Sequence, residues 1–148
     1  MKSIDIMKKY EFFDVTADIG FIAYGHSLNE AFENGAIAMF NVISNTDTIK
    51  KNKELSFTIN SEDEVSLLYD FLEELLFLHE VNLMVFSSFN VEISKLQDNS
   101  FKLDAKVKGE KINWKTHKRG SEVKAITYHM MDVSCNNGIY EVKTILDL

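Results

Sequence analysis

The chain has 148 residues, of which 45% are hydrophobic, and its 23 acidic and 16 basic residues give a formal net charge of −7. This hydrophobic content excludes an intrinsically disordered chain, and a single cysteine, Cys135, excludes a scaffold held by disulfides. The acidic balance excludes a nucleic-acid binder whose whole surface is basic.

The N-terminal part of the chain is predicted to form two strands. Residues 10–14 and 20–24 are rich in aromatic and apolar side chains, and a turn over residues 15–19 separates them. Residues 1–13 carry charges and lack the apolar core of a secretory signal. The charge-free residues 34–46 are too few to cross about 30 Å of hydrocarbon. We therefore expect a cytoplasmic protein without a membrane span.

The first helix is predicted directly after these strands. The motif Ser27-Leu-Asn-Glu30 is a capping box, in which the serine accepts an N–H of the first turn and the glutamate reaches back. Apolar residues at helical spacing follow the motif, and the pattern ends near Ser44.

The second helix is predicted after a strand at residues 55–59. Ser61-Glu-Asp-Glu64 has the pattern of another capping box, and an apolar stripe follows it. Between residues 62 and 80 there are seven acidic residues and no lysine or arginine, which equals the whole net charge. We expect these carboxylates on the solvent-exposed face of the helix.

The C-terminal half is predicted to be β-structure. Strands are expected at residues 83–94, 101–107, 112–115, 123–133 and 139–146, and Asn136-Asn137-Gly138 indicates a hairpin turn before the last of them. Helices early in the chain and strands late in it indicate an α+β fold. We predict a single domain over residues 1–148, with two amphipathic helices packed on a largely antiparallel β-sheet.

A locally basic region lies within this acidic chain. Residues 102–124 contain eight lysine and arginine side chains against three acidic ones. Such a region would bind RNA through its phosphates. We therefore keep an RNA-binding module as an alternative function.

The sequence contains none of the common catalytic motifs, so carboxylates are the best candidates for a site. Asp18 lies in an apolar turn, and Asp147 is the penultimate residue, next to the terminal carboxylate of Leu148. If the last strand ran beside the turn, these groups would form an oxygen site for Ca²⁺ or Mg²⁺. The alternative is that both are solvated turn acids.

Four further residues are interpreted as structural. His129 falls in an alternating segment and is expected to be half-buried, whereas His117 is expected in an exposed basic turn. Trp114 is expected to pack in the core, with base stacking as the alternative. Cys135 is expected to be a small core residue.

Three blocks in order resemble one known family, the archeases. The N-terminal block comprises Thr16-Ala-Asp-Ile-Gly20, Tyr24-Gly25, Leu28-Asn-Glu-Ala-Phe-Glu-Asn34 and Met39-Phe40. The middle block is Leu67-Leu-Tyr-Asp-Phe-Leu-Glu-Glu-Leu-Leu76, and the C-terminal block pairs Val123-Lys-Ala-Ile-Thr-Tyr-His129 with Ile145-Leu-Asp-Leu148. The resemblance covers nearly the whole chain.

The resemblance implies a function that the residue patterns alone do not. Archeases are non-catalytic protein cofactors of the GTP-dependent ligase that joins RNA ends, notably in tRNA splicing; they promote guanylylation of the ligase histidine and multiple turnover. The implied partner is therefore this RNA ligase, with RNA bound only indirectly or weakly and no membrane contact. The family has also been regarded as chaperone-like, which is the second alternative. The resemblance leaves the oligomeric state open.

The resemblance also implies a divalent-cation site, with Ca²⁺ as the expected ion and Mg²⁺ or Mn²⁺ as alternatives. The implied metal ligands are Asp18, Asp147 and a main-chain oxygen of Leu148. One position departs from the family pattern: archeases commonly have a histidine directly before the Thr-Ala-Asp-Ile-Gly motif, and this chain has Val15. The implied site therefore lacks an imidazole at that position.

Overall fold

The computed structural model of the protein describes residues 8–148. The prediction that residues 1–13 carry no secretory signal therefore lies mostly outside the described residues. Within residues 8–148, no helix is both long and apolar enough to cross a membrane.

Four strands form the larger of two antiparallel sheets. In chain order they are β1 (Tyr10–Val15), β2 (Asp18–Gly25), β6 (Ala125–Asn136) and β7 (Ile139–Asp147). Their spatial order is β1-β2-β7-β6, so the last strand of the chain lies between β2 and β6. This arrangement brings the C-terminus beside the β1–β2 turn.

Three further strands form the second sheet, and two helices contact both sheets. The strands are β3 (Lys53–Ser61), β4 (Met84–Lys95) and β5 (Phe101–Lys111), in the spatial order β3-β5-β4. The helices are α1 (Leu28–Ile43) and α2 (Glu64–Asn82), and a short 3₁₀ turn covers Thr46–Thr48. The predicted α+β fold is confirmed, with its antiparallel strands divided between two sheets.

Helix α1 is buried on most of its circumference because it packs on both sheets. It contacts β2 and β7 on one side and β4 on the other. Phe32, Met39 and Phe40 are completely buried, and Ala36 and Ala38 allow close approach. Helix α2 contacts β6 of the first sheet and β3, β5 and β4 of the second. The two helices therefore join the two sheets around one core.

The first capping prediction is confirmed and the second is wrong. The Ser27 hydroxyl accepts the Glu30 N–H, and the Glu30 carboxylate accepts the N–H of His26. Helix α2 is capped instead by Asp63, which accepts the N–H of Ser66. Ser61 belongs to the end of β3, so it cannot cap the helix.

Two strand predictions in the C-terminal half also need correction. Residues 112–115 lie in a loop that enters a turn at residue 114 rather than in a strand, and β6 begins at Ala125, after the predicted start. Within β6, a bulge between Thr127 and Asp132 breaks the alternation. The hairpin after Asn136 is confirmed, because Asn137 and Gly138 both have positive φ.

A candidate cation site at the C-terminus

The site begins with the tight turn between β1 and β2. Val15 pairs with Asp18, so only Thr16 and Ala17 form the turn. Ala17 has a φ of 65°, a left-handed conformation that residues with a Cβ adopt at a cost. The turn places Asp18 at the start of β2, at the edge of the sheet where β7 ends.

Asp18 and Asp147 lie directly opposite each other in the β2–β7 ladder. Side chains of directly opposed residues point to the same face of a sheet, with their Cβ atoms about 5 Å apart. Val15 and Ala125 occupy the same row on the neighbouring strands. The row therefore consists of two carboxylates flanked by two small apolar side chains.

The last residue of the chain is held against this row. The Leu148 N–H donates to Oδ1 of Asp18 over 3.3 Å, and the Leu148 side chain packs against the core. The Asp147 carbonyl accepts the N–H of Lys124 over 2.7 Å. These contacts hold both the carbonyl of Asp147 and the N–H of Leu148, so the terminal carboxylate lies beside the two aspartates.

The opposed carboxylates carry an unfavourable local charge. None of the ion pairs formed by residues 8–148 involves Asp18 or Asp147. Like charges directly opposite in a sheet repel each other, which disfavours the pair unless a cation neutralises it. Within residues 8–148, no three His, Cys, Asp or Glu side chains lie together in a way that could hold a metal ion. A cation here would need the main-chain oxygen of Leu148 as its third protein ligand.

An apolar cluster borders the acid pair on the same face of the sheet. The next row contains Phe13, Gly20 and Ile145, and Ile145 is completely shielded although it faces away from the helices. A Cβ on Gly20 would overlap the Phe13 ring, so the glycine allows the ring to lie flat across β2. The Lys143 ammonium lies 5.4 Å from the centre of that ring. The acid pair is therefore bordered by apolar side chains in the next row of the sheet.

The histidine predictions are both wrong, for reasons that depend on the tertiary fold. His129 is exposed, because the β6 bulge removes it from the alternating pattern. His117 is buried: its Nδ1 accepts the N–H of Asn113, so Nε2 carries the proton that it donates to Glu110 over 2.7 Å. This hydrogen bond lowers the pKa of Glu110, and the N–H of Lys50 acts in the same direction.

Two other structural interpretations have different outcomes. Trp114 is half-buried and packs against the core, although it lies in a turn, and the Arg119 guanidinium covers its ring at 4.5 Å from the centre. Cys135 is exposed near the end of β6, so the prediction of a core cysteine is wrong.

The basic residues between positions 102 and 124 do not form one surface. Lys102 and Lys108 lie on the polar face of the second sheet, where they pair with Asp104 and Glu54. The Lys111 ammonium instead donates to the carbonyl of Asn82 at the end of α2. The basic charge is therefore divided between a sheet face and loops.

The sequence interpretation missed the side chains that attach α1 to both sheets. The Asn34 amide donates to the carbonyl of Tyr24 in β2. On the other side of the helix, Glu33 accepts the N–H of Val91 and Asn29 accepts that of Ile93, both in β4. These contacts could have been expected from the sequence, because polar residues occur at positions of the amphipathic helix that face the core.

Comparisons with known proteins agree on one family. Residues 10–148 match the family described as the Archease protein family. The protein archease of Methanothermobacter thermautotrophicus is 49% identical over 142 residues, which cover 96% of this chain and 100% of that protein. That of Pyrococcus abyssi is 47% identical over 127 residues, covering 86% and 89%.

Two solved structures extend the comparison to the fold. The solution structure of a Methanobacterium thermoautotrophicum protein, 48% identical, superposes with a TM-score of 0.86 and covers 96% of this chain and 100% of its own. The crystal structure of a Thermotoga maritima archease, described as a possible chaperone, is 20% identical. Its TM-score is 0.59, over 92% of this chain and 94% of its own, and it supports the fold alone. From its sequence and its structure together, this chain belongs to the archease family.

Proposed function

We propose that the protein is a non-catalytic activator of a GTP-dependent RNA ligase that acts in tRNA splicing. It promotes guanylylation of the ligase histidine and multiple turnover through a divalent-cation site made by Asp18, Asp147 and Leu148. One observation carries the proposal: Asp18 lies opposite Asp147, and the final N–H of the chain donates to Asp18. Family membership supports the choice of partner.

The donor set of this site suits a hard cation. Two carboxylates and the main-chain oxygen of Leu148 offer only oxygen ligands, which Ca²⁺, Mg²⁺ and Mn²⁺ prefer. Val15, which shares the row with Asp18, adds no imidazole that would favour zinc. A bound cation would neutralise the two aspartates and the chain end; Ca²⁺ is the ion we expect.

The protein would act by binding one state of the ligase more tightly than the others. An activator shifts an equilibrium only by its difference in affinity for the two states. A difference of about 3–4 kcal/mol is enough for a rate gain of a few hundred-fold. The rigid acid pair is suited to this role, because the β-ladder and the Leu148 N–H fix its geometry before the partner binds.

Charge-neutral variants of the two aspartates test the proposal. Asp18→Asn keeps an oxygen that accepts the Leu148 N–H, so the turn is preserved while the charge is lost. We expect Asp18→Asn and Asp147→Asn to lose at least tenfold of the stimulation of RNA ligation under multiple-turnover conditions. Asp14→Asn is the matched control, since it removes an exposed carboxylate next to the same turn. Full stimulation by both site variants would contradict the proposal.

The alternative is a chaperone-like or RNA-binding module that acts without a cation site. The first form corresponds to the description of one family member, the Thermotoga maritima archease, as a possible chaperone. The second would use residues 102–124, where Lys102 and Lys108 are already paired with acids. RNA affinity of the isolated protein at low salt separates these functions, because binding through phosphates falls steeply with salt.

A further inference from the structure

The exposed face of α2 carries an apolar stripe. Phe77 is 53% exposed and Val81 is 59% exposed. They are four residues apart, so they are neighbours on one face of the helix. Leu83, directly after the helix, is 60% exposed. Exposed apolar side chains that occur together, unlike scattered single ones, are typical of surfaces that contact other proteins.

The backbone at Leu83 strengthens this interpretation. Leu83 ends α2 with a φ of 54° and a ψ of 51°, the left-handed conformation that glycine or asparagine normally supplies at this position. A leucine there is strained, and its side chain also remains exposed. Neither the strain nor the exposure stabilises the isolated fold, and both are expected of a side chain that contacts a partner.

The charge around the stripe defines the chemistry of a partner. Glu73 and Glu80 are exposed on the same helix, and residues 62–80 contain no lysine or arginine. Neither glutamate takes part in an ion pair within residues 8–148. This field repels nucleic acid and anionic lipid and attracts a basic protein surface.

A stacked tyrosine pair continues the stripe toward the first sheet. Tyr69, Glu73, Phe77 and Val81 are spaced four residues apart along α2. The rings of Tyr69 and Tyr128 are parallel within 5° and 4.1 Å apart, and Tyr128 is 55% exposed. Aromatic rings beside carboxylates bind guanidinium groups well, because the group stacks on the ring and pairs with the acid.

The tyrosine pair lies across the first sheet from the cation site: Tyr128 stacks on α2, whereas the acid pair is on the face turned away from the helices. Tyr128 is three residues along β6 from Ala125, which pairs with Asp147, a distance of about 10 Å along the strand. Strand β6 is an edge strand, so a partner at the cation site can extend around it.

We propose that the α2 face, defined by Tyr69, Glu73, Phe77, Val81 and Leu83, is a second docking surface for the RNA ligase. It takes a segment of the enzyme that presents arginine or lysine side chains around apolar ones. This inference rests on the proposed function, which supplies the partner. The cation site sets the state of the ligase, and the α2 face supplies affinity.

The test compares the affinity of the purified ligase for four variants by titration calorimetry. Leu83→Gly removes the side chain and also relieves the left-handed strain, so its melting temperature should not fall. Phe77→Gln and Glu73→Lys change the stripe and its charge. The matched control is Leu96→Gln, which removes an exposed leucine from the β4–β5 turn. We expect Kd to rise at least tenfold for the first three variants and to stay unchanged for the control.

The outcomes separate this inference from the proposed function. The inference is supported if the three α2 variants bind the ligase more weakly and if saturating amounts of each variant still stimulate RNA ligation fully. Wild-type affinity in all three overturns it and leaves the proposed function intact as long as Asp18→Asn still fails to stimulate. A wild-type protein that neither binds nor stimulates the ligase overturns both.

Discussion

At the scale of single residues, the core contains one polar group that the fold does not use. Thr144 is completely buried in β7, opposite Phe21 of β2. Among the buried side-chain nitrogen and oxygen atoms of residues 8–148, its Oγ1 is the one without a hydrogen-bond partner. Burying a hydroxyl without a partner is unfavourable by about 1–3 kcal/mol. A valine has nearly the same shape without that penalty.

Thr144→Val is therefore predicted to stabilise the protein. We expect the free energy of unfolding, measured by chemical denaturation, to rise by about 1 kcal/mol. The matched control is Thr127→Val, which removes a hydroxyl that donates to the Ile145 carbonyl over 3.0 Å. That variant should lose about 0.5–1 kcal/mol. A loss of stability in Thr144→Val would show that the hydroxyl has a partner in solution.

At the scale of elements, side chains of α1 accept hydrogen bonds that a neighbouring strand would otherwise accept from the edge of the second sheet. Strand β4 is an edge strand, and two of its N–H groups donate to Glu33 and Asn29 of α1. Burial raises the pKa of Glu33, while the hydrogen bond from Val91 opposes this effect. The contact therefore aligns α1 with β4, but it keeps the Glu33 carboxylate in a partly buried position, where its charge is less stable.

Variants of Glu33 separate the hydrogen bond from the charge. Glu33→Gln keeps an acceptor for the Val91 N–H, and we expect it to gain up to about 0.5 kcal/mol at pH 7, a small effect because water screens the half-exposed carboxylate. Glu33→Ala leaves the Val91 N–H unpaired and should lose about 1–3 kcal/mol. Equal losses in both variants would contradict this account.

The pH dependence of stability provides a second measurement on the same variants. The folded protein binds the Glu33 proton more tightly than the unfolded chain, so stability falls as pH rises from the ordinary pKa of 4.5 to the raised value. Denaturation curves between pH 4 and 8 should show the wild type losing stability relative to Glu33→Gln as pH rises. In Glu33→Gln the contribution should be missing.

The sequence predicted those elements whose determinants are local. Ser27 and Glu30 lie within one helical turn, and Asn137-Gly138 is a turn signal by itself. The cap of α2 was misassigned because β3 extends to Ser61, and strand length depends on pairing with β5. Burial of His117 could not be predicted, since it depends on folding of the whole connection between β5 and β6.

The arrangement of the candidate site also depends on the tertiary fold and could not be predicted from local sequence. Asp18 and Asp147 were predicted to meet only if the last strand ran beside the first turn. Composition does not specify strand order, so the residue patterns alone favoured solvated turn acids over a cation site. The observed pairing of β2 with β7 removes that ambiguity about position, while cation binding stays a prediction.

At the scale of the whole molecule, the charge is separated into surfaces with different roles. The net charge of −7 equals the acidic excess of residues 62–80, which include most of α2. The two aspartates of the candidate site lie on two other elements, β2 and β7, at one end of the first sheet. In this account the protein recognises an enzyme rather than RNA, so a net negative charge is compatible with a role in RNA repair.

The most direct test of the central claim measures how fast the ligase becomes guanylylated from labelled GTP, with and without this protein, as Ca²⁺ is varied. The wild type should accelerate the reaction by a few hundred-fold, in line with about 3–4 kcal/mol of differential binding, and the acceleration should require the cation. Asp18→Asn, folded to the same melting temperature, should lose it. Undiminished acceleration by Asp18→Asn, or by the wild type after complete removal of divalent cations other than those the ligase itself needs, would contradict the account.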